Sequence, residues 1–66
     1  MDIVTKKFKN LLRICMENKI SLDTIQQIIA LRDMKNSEEI ADRLLQKIDK
    51  MNETELKKEI EMIIEK

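Results

Sequence analysis

The sequence predicts an all-α fold, a small bundle of three to four short helices, and three observations carry that prediction. The 66 residues include no Gly and no Pro, and Ile, Leu, Lys and Glu dominate, all residues that helices accept. No stretch alternates apolar and polar residues for long enough to make a half-buried strand. Apolar residues instead recur at helical spacing in four successive segments, about residues 2–18, 22–34, 37–51 and 53–65.

In the first segment Val4, Phe8, Leu11, Leu12 and Cys15 share one side, and Lys6, Lys9 and Arg13 line the opposite one. Ser21 then offers an N-cap, with Asp23 placed to favour the dipole of the following helix. Leu22, Ile25, Ile28, Ile29, Leu31 and Met34 cover half the circumference of that second helix, which predicts it to be the central and most buried element. A third arc, Ile40, Leu44, Leu45, Ile48 and Met51, begins after Asn36 and Ser37, and a fourth contains Leu56, Ile60, Ile63 and Ile64.

Two phrases sixteen residues apart, "DMKNSEEI" and "DKMNETEL", each set an Asn three residues before a Glu, the pattern of a capping box. Glu39, Ile40 and Leu44 stand in register with Glu55, Leu56 and Ile60, as either two similar helix starts or an old duplication would place them. The first phrase is a helix boundary, because the apolar arcs separate there. At the second, an unbroken helix would turn the fourth arc roughly 120° away from the third, so a break or sharp bend at Asn52 is predicted. No Gly follows to stop the helix, which leaves a continuous helix with a stutter as the other arrangement. The predicted core is Phe8, Leu11, Leu12, Ile25, Ile29, Leu44, Ile48, Ile60 and Ile63.

A single domain this short buries only about 60% of its unfolded surface, so a partner or self-association is expected to complete it, with a homodimer as the expected state. One Cys and no His exclude an intrachain disulfide and a Cys/His zinc cluster. Cys15, between Ile14 and Met16, reads as a small buried hydrophobe. The opening "MDIVTKKFKN" lacks the apolar core of a secretory signal, and the longest apolar run, Ile28 to Leu31, is too short to cross a bilayer. A cytoplasmic protein without membrane contact is expected. Its richness in Ile, Lys, Asn and Glu is what an AT-rich bacterial or phage genome yields.

Without His, Tyr or a Gly-rich phosphate loop, the chain offers no catalytic, cofactor-binding or metal-binding residues and is expected not to be an enzyme. Its carboxylates read as exposed helix surface, with Glu39–Arg43, Glu53–Lys57 and Lys57–Glu61 at the spacing of helical ion pairs. The zero net charge conceals a dipole. Residues 1–20 carry five cations against two carboxylates, and residues 33–66 carry seven against ten.

The function these features predict is a non-enzymatic protein–protein interaction module, a small regulator or inhibitor acting through helical surfaces and self-association. Met34, Leu45, Met51, Leu56, Met62 and Ile63 are its candidate partner-binding residues, the methionines because flexible thioethers suit adaptable interfaces. The alternative is a nucleic-acid-binding regulator that uses Lys6, Lys9 and Arg13 of the first helix on a dimer. A purely architectural subunit is a third possibility. Direct DNA reading by the third helix is disfavoured by Glu38, Glu39 and Asp42.

One stretch, "LLRICMENKISLDTIQQIIALRD" from Leu11 to Asp33, resembles the part of MerR-type transcription regulators that follows their winged DNA-binding part. There one helix ends and "S-L-D-x-I" opens the next. The resemblance spans about a third of the chain and implies a dimerising helical piece of a regulator. The family's DNA-reading helices and wing have no counterpart here, and no ligand- or DNA-contact residue is carried over.

Overall fold

A computed structural model describes residues 2–65; Lys66, counted above among the C-terminal cations, lies outside them. Four helices follow one another: α1 (Ile3–Glu17), α2 (Leu22–Leu31), α3 (Ser37–Lys47) and α4 (Glu53–Ile64), with one 3₁₀ turn, Ile48–Lys50, extending α3. No strand occurs among the described residues.

The helix ends follow from local chemistry. Asp2 caps α1, its side chain accepting from the Thr5 N–H at 2.7 Å. That bond favours the charged carboxylate and holds Asp2 below its ordinary pKa. At the other end Lys19 adopts φ 59°. The Lys19 N–H then reaches the Met16 carbonyl and the Ile20 N–H reaches the Cys15 carbonyl, at 3.1 and 3.0 Å. This Schellman motif stops α1 without the glycine that usually supplies the left-handed residue.

The two echoed phrases behave differently. Asn52 forms a complete capping box: its side chain accepts from the Glu55 N–H at 2.9 Å, and the Glu55 carboxylate accepts from the Asn52 N–H at 3.1 Å. Asn36 makes no side-chain cap bond to α3. The chain therefore breaks at Asn52 and folds back, as the turn of the apolar arc requires. A radius of gyration of 10.7 Å agrees with the ~11 Å expected of a compact chain of this length. The echo also repeats the inward face, because Ile40 and Leu44 of α3 and Leu56 and Ile60 of α4 are all buried.

One core is shared by all four helices: Phe8, Leu11 and Cys15 from α1, Ile28 and Leu31 from α2, Ile40, Ala41 and Leu44 from α3, and Leu56, Ile60 and Ile63 from α4, with Ile48 between. Helix α1 packs chiefly on α3, while α2 bridges α1 and α4. Cys15 is fully enclosed, and burial pushes its thiol above the usual range.

The expectation that α2 is the most buried element is corrected. Leu22 is 74% exposed and Ile29 44% exposed, while Leu12 and Ile25 are only partly buried. Helix α2 carries two apolar stripes, and the one turned inward is Thr24, Ile28 and Leu31. Its polar member disguises it in the sequence. The α2 helix also ends at Leu31, three residues earlier than predicted, and α3 gives way to 3₁₀ geometry at Ile48.

Candidate docking surface on the first two helices

The second stripe of α2, Leu22, Ile25 and Ile29, lies at i, i+3 and i+7, which sets the three on one side of the helix. Ile29 of that side meets Leu12 of α1, and Met16 stands one helical turn along α1 from Leu12. Phe8, Leu12 and Ile29 floor a furrow between the two helices, with Thr5, Lys9 and Arg32 on its edges. The furrow broadens along α1 into a shallow apolar patch at Leu12 and Met16, bordered by Lys6, Lys9 and Arg13. Met16 is 67% exposed.

The border is strongly basic. Arg13 Nη2 donates to Asn10 Oδ1, and Nη1 lies 3.6 Å from Glu17, the one carboxylate among the described residues that line the patch. Asp2, at the start of α1, feels the charge of Arg32. Among the described residues Lys6, Lys9 and Arg32 form no ion pair within 4 Å.

Lys7 shows the contrast. Turned to the other flank of α1, it contacts Glu38 and Asp42 of α3 at 2.9 and 2.8 Å. Its hydrogen bond to Asp42, then that to Glu38, raises its pKa. Part of the sequence dipole is thus neutralised within one chain, and Lys6, Lys9, Arg13 and Arg32 are left as the basic border of the apolar face.

The predicted partner-binding residues separate. Leu56 is wholly enclosed and Ile63 nearly so, which makes both of them core; the inward turn of α4 at Asn52 puts them there. Met34, Leu45 and Met51 are partly buried against that core, and Met62 is 49% exposed. Met34 and Met62 meet Ile63 along a second furrow, flanked by Glu39 and Arg43. Lys6, Lys9 and Arg13 are all exposed. What sequence reasoning missed is the role of α2: it reads the helix as the most buried element with Ile25 and Ile29 in the core, though the apolar half-circle is wider than one face needs.

Two polar sites were also missed. The Glu59 carboxylate, 8% exposed, lies 2.7 Å from Arg43 Nε and accepts from Lys47 Nζ at 3.3 Å. The Arg43 approach is an ion pair without hydrogen-bond geometry, which leaves Glu59 Oε2 paired by charge alone. Glu53 fastens α4 to the start of α2 through Ser21 and Thr24. Of the helical pairs expected from spacing, Glu53–Lys57 forms at 3.7 Å, while Arg43 reaches across to α4.

Among the described residues no three His, Cys, Asp or Glu side chains are grouped so as to hold a metal ion, and no helix is long and apolar enough to cross a membrane. Comparisons with protein-family models, curated proteins and solved structures find no match to this chain.

Proposed function

We propose that the protein is a non-enzymatic protein-binding module, a small regulator or inhibitor that docks on its target through the joined face of α1 and α2. The observation that carries this reading is the second apolar stripe of α2. Leu22 and Ile29 stand 74% and 44% exposed, while the core closes around Ile28 and Leu31 with Ile25 packed against it. Folding of one chain gains little from leaving Leu22 and Ile29 in water, Ile29 beside Leu12. Covering a fully exposed side chain of this size contributes roughly 1.5–3 kcal/mol, so Leu22 gains most of that and Ile29 less, and exposed apolar surface rimmed by polar residues marks interaction sites.

The competing nucleic-acid reading rests on the exposure of Lys6, Lys9 and Arg13. Leu12 and Met16 lie among those cations, and aliphatic side chains gain nothing from a phosphate backbone. The face suits a partner that is apolar at its centre and charged at its edges.

Affinity capture from the cells that encode the protein tests the reading with three baits: the intact chain, the double variant Met16→Gln/Ile29→Gln, and a control, Gln46→Ser, at an exposed position of α3 outside this face. A protein retained by the first and third and lost from the second supports docking on this face. Equal recovery by all three, or none by the intact chain, contradicts it.

A further inference from the structure

Resting on the docking reading above, we infer that the occupant of the α1–α2 furrow is an amphipathic helix with acidic flanks, belonging to a protein other than this one. Charge complementarity selects it. Among the described residues, Lys6, Lys9, Arg13 and Arg32 border the apolar floor against Glu17, already beside Arg13, and Asp2, which feels the charge of Arg32. A furrow between two packed helices accepts the ridge of a third, with apolar anchors at i, i+3, i+4 and i+7 meeting Leu12, Met16 and Ile29. Glutamates or aspartates on either side of that ridge then face the lysines and arginines.

A second copy of this chain is the weaker occupant, for two reasons drawn from the fold. The chain's own acidic helices, α3 and α4, bury most of their apolar sides in the core through Ile40, Leu44, Leu56, Ile60 and Ile63, with Met62 and Ile64 exposed on α4. Neither presents a full apolar ridge at i, i+3, i+4 and i+7 to a neighbour's furrow. Face-to-face pairing of two α1–α2 surfaces would bring the two basic borders together, and like charges across an interface suppress association.

Two synthetic amphipathic peptides of about 18 residues, identical in their apolar stripe and flanked by Glu in one and Lys in the other, serve as probes for fluorescence anisotropy with the full chain. The Glu-flanked peptide is expected to bind at least about tenfold more tightly at about 0.05 M salt, the preference shrinking at about 0.5 M. Met16→Gln/Ile29→Gln is expected to weaken both peptides about tenfold or more, and Lys9→Glu/Arg32→Glu to invert the preference; circular dichroism on each variant confirms folding. Equal affinity for the two peptides overturns the acidic partner but leaves docking on this face standing. Loss of the Glu-flanked peptide's binding to neither variant overturns both. Binding of phosphatidylserine vesicles or mixed-sequence duplex DNA with no peptide bound overturns the inference in favour of a lipid or nucleic-acid surface, and concentration-dependent dimerisation abolished by Met16→Gln/Ile29→Gln overturns it in favour of a second copy.

Discussion

Glu53, the first residue of α4, holds Ser21, the residue that precedes α2, from across the bundle. The Ser21 N–H donates to Glu53 Oε1 at 3.2 Å and the Ser21 hydroxyl to Oε2, while the buried Thr24 hydroxyl donates to Oε2 at 3.1 Å. Ser21 makes no cap bond of its own to α2. The Glu53 carboxylate takes up the N–H and hydroxyl of Ser21 itself, near the end of α2 where the helix dipole favours negative charge. One side chain therefore closes the start of α2, satisfies the polar member of its inward stripe and ties α4 to it.

This arrangement makes stability depend on acid in a definable direction. The Ser21 side-chain and backbone hydrogen bonds hold the Glu53 pKa below its ordinary value of 4.5. Its contribution is present above that value and is lost as pH falls through the lower folded one. Urea titrations at intervals from about pH 6 to about pH 3 are expected to show a steeper loss of stability for the natural chain than for Glu53→Gln. Parallel curves would remove Glu53 from the acid response. Asp2, lowered chiefly by the Thr5 backbone bond, acts in the same direction at the other end of α1.

Asn52→Ala is expected to destabilise the fold by about 1 kcal/mol, since it removes one arm of the capping box. In a domain this small that corresponds to roughly 4–8 °C in Tm. Asn36→Ala, at the matching place in the echoed phrase, makes no cap bond to lose and is expected to change Tm by no more than about 2 °C. Thermal unfolding of the two variants side by side checks the contrast.

Lys19→Gly is expected to stabilise the protein by about 1 kcal/mol. The left-handed conformation costs a non-glycine residue roughly 1–2 kcal/mol, and glycine's greater unfolded-state entropy offsets part of the gain. Chemical denaturation reads the change as a higher midpoint with an unchanged slope.

Glu59 is buried against two cations that remain half exposed. Replacing both partners, Arg43→Ala/Lys47→Ala, strands a buried carboxylate and is expected to cost roughly 3 kcal/mol. Glu59→Leu removes the charge together with its desolvation penalty and is expected to cost less than about 1 kcal/mol. Denaturant midpoints for the two variants test this asymmetry.

The sequence made the helices, their order and most of the inward-facing positions of α1, α3 and α4 legible, because on those helices a single apolar arc faces a single core. Phe8, Leu11, Leu44, Ile48, Ile60 and Ile63 are buried as the periodicity requires. It failed on α2, where two apolar stripes compete and periodicity has no means of ranking them. The deciding residue was Thr24, whose burial depends on Glu53, twenty-nine residues away. A hydrogen bond between distant residues leaves no periodic trace. For the same reason the basic border was read as a stripe of α1 alone, without Arg32. Leu56, and Ile63 alongside its place in the predicted core, are open to a partner while the direction of α4 is undetermined by the sequence, and the capping box at Asn52 turns them inward.

The docking face is tested most directly by methyl resonances of the folded chain during titration with the Glu-flanked peptide. The account predicts shifts at Leu12, Met16, Leu22, Ile25 and Ile29, with Met34 and Met62 unmoved on the second furrow. Shifts confined to Met34 and Met62, or spread evenly over the molecule, would contradict it.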